Sequence, residues 1–223
     1  MKRFTWADAP SQTAFPIARP GYPLIGAAAF ATAVFALLGL VVPGLIGLLA
    51  TLFICAFFRD PDRLVPDEPG LVVSPADGKV IRVDDVADSA VYGGACRQVS
   101  IFMNVFNVHV NRIPCSGRVA EVAYTPGRFM AADKAAASDA NERNAVAIET
   151  EGGRKVVAVQ VAGLIARRII CRVQAGDGVE RGQRFGMICF GSRLDVYLPP
   201  DAEPVVGRGQ KVSAGSSAIA RLP

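Results

Sequence analysis

The sequence predicts a mainly β protein: a β-sandwich or barrel-like domain with one short helical segment, preceded by an N-terminal hydrophobic helical hairpin. Three observations carry this. No charged residue occurs from Gly21 to Phe58, and Arg19 and Arg59 bound the run. Beyond residue 70, short β-prone runs recur between turn residues, among them LVVSP, GKVIRV, GRVAEVAY, AVAIET, KVVAVQVAG and LDVYLP. That rhythm belongs to sandwiches and barrels. Only Ala131–Asn144, rich in alanine, reads as helix.

Residues 1–19 form a leader, and residues 20–59 the membrane-associated helices. Tyr22 to Val42 is long enough to span a bilayer, for which about 20 residues suffice. Pro43-Gly44 favours a turn, and Leu45 to Phe58 supplies a second apolar piece, so a helical hairpin or re-entrant pair is expected rather than one bent span. Basic residues at both ends place both on the cytoplasmic side by the positive-inside rule. A cleaved signal peptide does not fit: the apolar run starts too late, is too long and lacks a clean cleavage site. Residues 60–70, DPDRLVPDEPG, form a Pro- and Asp-rich linker to the β-domain of residues 71–223.

Composition excludes several functions. The 24 basic and 20 acidic residues leave a net charge of only +4, too weak and scattered for a nucleic-acid partner. The five cysteines show no CxxC spacing and are expected as small core residues in a reducing compartment. One histidine, His109, and no thiolate cluster cannot build the usual zinc ligand set, so no metal is expected.

Four local features could carry chemistry. SPADGKV (74–80) holds Asp77, although Asp-Gly is most often a hairpin turn. NVFNVHVNRIP (104–114) holds His109 within an alternating strand, sharing a face with Asn107 and Asn111. Such a face is usually solvated, yet a lone His beside two Asn is an acid–base candidate. ASDANERNAV (137–146) holds Glu142 and Arg143, a solvated loop by default, with an arginine able to grip a carboxylate or phosphate. In FGMICFGSRLDVYLPP (185–200), Met187 to Phe190 read as buried strand. Leu194, Val196 and Leu198 then alternate with Asp195 and Tyr197 as a half-buried one. Gly191-Ser192 sits at the seam between them, where an isolated Gly often marks a bulge. Gly215-Ser216 repeats the pair near the C-terminus. Asp77, His109 and Ser192 together are the parts of a nucleophilic triad, without the GxSxG elbow of the α/β-hydrolases.

SPADGKV, the His109 strand ending in NRIPCSG, the NERN tetrad at 141–144, and FGSR followed by LDVYLP together resemble the phosphatidylserine decarboxylase proenzymes. The likeness is to the short, membrane-associated bacterial type and covers nearly the whole chain. It implies a proenzyme that cuts itself between Gly191 and Ser192, giving chains 1–191 and 192–223 that stay associated. Ser192 would become a covalent pyruvoyl group, the only cofactor, which forms a Schiff base with phosphatidylserine and releases phosphatidylethanolamine. The longer members carry Leu-Gly-Ser-Thr where this chain has Phe190-Gly191-Ser192-Arg193. The resemblance assigns Asp77 to self-processing and His109 to proton transfer. The longer members have a second His at the position of Arg112, which stays protonated and cannot be a base. Either His109 then serves both steps, or Asp77 activates Ser192 through another group or a water. Arg143 and Arg193 are candidates for the substrate phosphate. The implied location is the cell membrane, with the substrate lipid as partner and self-association into a homo-oligomer left open.

Two rival readings use the same residues. A membrane-anchored serine hydrolase would use Asp77, His109 and Ser192 in an intact chain. A membrane-tethered carrier-like β-module would present a lysine at a hairpin tip; Lys211 in GQKVSAGSSAIARL is the only one nearby, and it does not sit in such a turn.

Overall fold

The computed structural model describes residues 17–130, 140–164, 168–189 and 191–223. Two compact units emerge, one ending at Asp62 and the other Arg63–Pro223.

In the first unit, α1 (Tyr22–Leu37) follows a 3-10 turn at Arg19–Gly21, and α2 (Val41–Phe57) folds back on α1. The helices break at Leu38–Leu40, ahead of the turn expected at Pro43-Gly44. Gly39 adopts φ +68°, and the Gly39 and Leu40 amides donate to the Ala36 and Phe35 carbonyls. That is a Schellman cap, which favours glycine at the left-handed position. Pro43 and Gly44 instead sit in the first turn of α2, where a missing amide hydrogen costs nothing. Gly47 lets α2 approach Thr32, and the Thr32 and Thr51 hydroxyls lie 3.3 Å apart. At the open end the Ala18 amide donates to the Phe58 carbonyl at 2.8 Å, so both flanks of the hairpin meet. Leucines and valines of both helices stand exposed. Among the described residues one helix, Arg19–Leu37, is long and apolar enough to cross a membrane.

The second unit is mainly β. Its strands are β1 (Leu71–Val73), β2 (Gly78–Ser89), β3 (Gly94–Met103), β4 (Val110–Arg112), β5 (Gly117–Thr125), β6 (Arg143–Glu149) and β7 (Lys155–Val161). They continue as β8 (Arg168–Cys171), β9 (Gly178–Val179), β10 (Arg184–Cys189), β11 (Ser192–Leu198), β12 (Glu203–Pro204), β13 (Lys211–Val212) and β14 (Ala218–Arg221). An eight-stranded sheet runs in the order β13-β2-β3-β11-β7-β6-β5-β9. Two three-stranded sheets, β4-β10-β8 and β1-β14-β12, complete it. Every named pairing is antiparallel. The main core joins Val80, Ile101, Leu194 and Val146 of the large sheet to Ile113 and Phe185.

Several sequence expectations shift here. The helical segment expected within Ala131–Asn144 lies outside the described residues through residue 139, and Arg143 and Asn144 open strand β6. Residues 1–16 of the leader and Phe190 also lie outside them. The linker docks from Arg63 onward: Arg181 donates to the Glu68 carbonyl, and Gly182 faces Val65 closely enough to exclude a Cβ. Strand β11 is buried on both faces rather than one: Leu194, Val196 and Leu198 join the main core, and Tyr197 packs into a second apolar cluster on the other face. Asp195 tolerates full burial through its ion pair with Arg193, at 2.9 and 3.0 Å.

Asp77-Gly78 is not a hairpin turn. Gly78 opens β2, and a Cβ there would lie 2.2 Å from the Phe102 carbonyl oxygen. We expect Gly78→Ala to destabilise the fold by about 2 kcal/mol or more through overpacking against backbone that cannot yield. Thermal denaturation of the two proteins side by side checks this.

Candidate active site

The run from Gln98 to Val110 is not one strand. Asn104 and Asn107 break it, as their side chains readily mimic backbone in turns. The Asn107 carboxamide accepts from the Asn104 amide at 2.9 Å, and the Asn104 carboxamide accepts from the Phe106 amide at 2.9 Å. The chain thereby reverses and delivers His109 and Asn111 into the interior. Both are fully buried, so the face expected to meet solvent faces the core instead.

His109 grips the segment ahead of Ser192 twice. Its carbonyl accepts from the Ile188 amide at 3.4 Å, and its Nε2 accepts from the Gly191 amide at 3.3 Å. Its Nδ1 lies 2.9 Å from the Asn107 carbonyl oxygen, which can only accept. Both ring contacts are satisfied by one species alone, a neutral imidazole with its proton on Nδ1. Gly191 has φ +67°, a left-handed geometry that glycine takes without a Cβ penalty. Ser192, the first residue of β11, pairs with Met103 of β3 and is fully buried. Its hydroxyl meets the Met103 thioether at 3.4 Å, a weak acceptor that leaves the oxygen poorly satisfied. An acyl carbon, a hydroxyl and a neutral base thus share one enclosed corner.

Asp77 is held elsewhere. One carboxylate oxygen accepts from Arg63 at 2.7 Å, the other from the Ala214 amide at 2.7 Å. Neither bonds to His109 or Ser192, so no Asp-His-Ser chain is assembled. Arg112 is buried, donates to the Gly182 carbonyl at 3.0 Å and packs against Gly215. The second Gly-Ser pair therefore has Asp77 and Arg112 as neighbours, while the only histidine stands at the first. Arg193 follows Ser192 in a strand and projects from the opposite face, in its pair with Asp195. Arg143 also lies on that far face, in a groove with Glu121 and Lys155. Lys211 pairs with Lys79 within a strand rather than capping a turn.

In the NERN tetrad, the two asparagines turn inward and take the structural load. Asn141 donates to the Met130 and Ala162 carbonyls at 2.9 and 2.8 Å, and Asn144 donates to Gln160 at 3.2 Å. The other nucleophile type nearby is quiet. Burial pushes the Cys171 and Cys189 thiols up from their ordinary range, and Cys115 up to about 12, so all three stay protonated at neutral pH. The described residues hold no cluster of three or more His, Cys, Asp or Glu able to bind a metal.

A sequence profile described as phosphatidylserine decarboxylase matches residues 50–220. The phosphatidylserine decarboxylase proenzyme of Syntrophus aciditrophicus is 51% identical over 205 residues, covering 91% of this chain and 96% of that protein. That of Solidesulfovibrio magneticus is 52% identical over 206 residues, covering 92% and 95%. That of Nitratidesulfovibrio vulgaris is 53% identical over 203 residues, covering 90% and 92%. These matches span the strands that bring Gly191, Ser192 and His109 together, and the chain belongs to the phosphatidylserine decarboxylase family.

Proposed function

We propose that the chain cuts itself between Gly191 and Ser192, turns Ser192 into a pyruvoyl group, and then decarboxylates phosphatidylserine to phosphatidylethanolamine at the membrane. One observation carries the choice of bond: the sole histidine meets the Gly191 amide at 3.3 Å, one residue from a buried serine.

The Ser192 hydroxyl gives its proton to the neutral Nε2 of His109 and attacks the Gly191 carbonyl carbon. The Gly191–Ser192 peptide bond breaks as the nitrogen takes up a proton, leaving an ester. Loss of the Ser192 α-proton expels the Gly191 carboxylate and leaves a dehydroalanine, which tautomerises to an imine. One water hydrolyses the imine and releases ammonia. Nε2 must first part from the Gly191 amide, a rotation that glycine eases because it carries no side chain. Ser192 is fully buried and adjoins the Gly191 carbonyl in the chain, and confining reacting groups in this way is where intramolecular steps gain rate.

Ser192, Gly191 and His109 thus fit the formation of the prosthetic group. A pyruvoyl group supplies a ketone that condenses with the substrate amine and accepts the electron pair left as carbon dioxide departs. His109 is the proton carrier for that step as well, because its Nδ1 contact with the Asn107 carbonyl holds Nε2 against the Gly191 amide, one residue from Ser192. Asp77, engaged by Arg63 and Ala214, positions the chain rather than transferring a proton. The arginines for phosphate binding are other than Arg143 and Arg193, which lie across the sheet from Ser192. The catalytic domain lies on the cytoplasmic side: Arg19 and Arg59 flank a hairpin whose ends are hydrogen-bonded together, and arginines favour that side.

Intact-mass measurement on the purified protein tests the proposal. We expect chains 1–191 and 192–223, the smaller one lighter than its serine-started form by one ammonia. A folded, uncut chain would remove the ketone and return attention to a serine hydrolase, which a fluorophosphonate probe would label.

A further inference from the structure

Strand β7 reads KVVAVQV, and Gln160 is the one polar side chain on its core-facing side, after Val156 and Ala158. Burying a carboxamide costs free energy unless its donors and acceptor are matched. Gln160 is matched across three strands. Its Oε1 accepts from Asn144 at 3.2 Å, and its Nε2 donates to Asn111 Oδ1 at 2.8 Å and to the Ile170 carbonyl at 3.3 Å. Asn144 lies in the large sheet; Asn111 and Ile170 lie in β4 and β8 of the small one. The amide therefore ties the two sheets to each other through the interior. Gly186 leaves the space for it, since a Cβ there would lie 2.8 Å from Gln160 Nε2.

The tie bears on the reacting groups. With its oxygen held by Gln160, Asn111 directs its amide nitrogen to the Met103 sulfur at 3.9 Å, the atom that also meets the Ser192 hydroxyl at 3.4 Å. His109 lies two residues before Asn111, at the entry to β4. We propose that Gln160 is a positioning residue for the chemistry at residue 192, fixing, through Asn111, the distance between the segment that carries His109 and the strand that opens at Ser192. This rests on the reading of Gly191-Ser192 as the processed bond.

The test follows self-cleavage over time, by mass, in freshly made full-length wild type, Gln160→Met and the core truncation Val156→Ala, with thermal midpoints measured on each. We expect Gln160→Met to cleave about 10- to 100-fold more slowly, the scale of a small misplacement at a reacting centre. Val156→Ala, matched or lower in thermal midpoint, should cleave at close to the wild-type rate. Equal slowing in both variants would make the role purely structural and overturn the inference, as would wild-type cleavage by Gln160→Met. Should Gln160→Met fail to fold, Gln160→Glu takes its place. It keeps the shape and the acceptor for Asn144 but as a carboxylate has no hydrogen for Asn111. Folded and slowed, it supports the tie; folded and unslowed, it overturns it. A wild-type chain that stays uncut at 191/192 overturns the underlying reading and this inference together, whereas cut wild type with unslowed variants overturns this inference alone.

Discussion

Ser192→Ala protein will remain a single 223-residue chain under conditions in which the wild type separates into two. It will also lose decarboxylation, by about a millionfold or more, since no catalytic ketone can form. The substitution removes one oxygen whose only side-chain partner is a thioether at 3.4 Å. Stability should therefore change by no more than about 1 kcal/mol, so lost processing cannot be blamed on lost folding. Burial holds the half-buried Cys171 and the buried Cys189 thiols protonated. Denaturing electrophoresis with intact mass reads the result. A Ser192→Ala chain that is still cut would move the processed bond to Gly215-Ser216, where Ser216→Ala would then be the blocking variant.

His109→Ala comes next in size. Removing a positioned base typically costs about 10²- to 10⁴-fold, so processing should fall from prompt to barely detectable on the same timescale. Added imidazole should restore part of the rate by entering the space the ring vacates. Asp77→Asn is the informative companion. It keeps an acceptor for the Ala214 amide, weakens the Arg63 pair, and should process at close to the wild-type rate. If His109→Ala matures normally yet fails to decarboxylate, while Asp77→Asn stays uncut, the base for self-cleavage is Asp77, and His109 serves only the later step.

Much of this architecture was legible because it rests on local patterns. The uncharged run from Gly21 to Phe58 announces the helical hairpin, and the recurring β-prone runs announce the sheets. The break between the helices was not legible: Pro-Gly is the stronger turn signal, but proline is also welcome in a helix's first turn, and Gly39 supplied the left-handed cap. The burial of His109 and Asn111 was hidden for a different reason. Alternation tells which residues share a face, not which face meets water, and the small sheet that turns this one inward is formed with β8 and β10, some 60 to 80 residues further on. Gln160 left no usable signal at all. A single glutamine in KVVAVQV looks like an interruption of a hydrophobic strand, and its three partners come from three other strands. The NERN tetrad drew notice to its charges, Glu142 and Arg143, whereas Asn141 and Asn144 make the inward bonds.

If the proposed cut removes the Gly191–Ser192 bond, the position of β11 between β3 and β7 has a thermodynamic consequence. The shorter piece is a central strand of the large sheet, and through β13 and β14 it also borders β2 and β1. It can leave only by dismantling the core, so the cut costs the native state little. The denatured state, in contrast, now gains the freedom of two independent molecules. Refolding of the matured enzyme becomes a second-order encounter, and its melting temperature should rise with protein concentration, as for any obligate heterodimer. On the proposed cut, maturation would act as a ratchet: the uncut chain folds as one molecule, and the cut pair would inherit an assembly that two separate pieces must find by encounter.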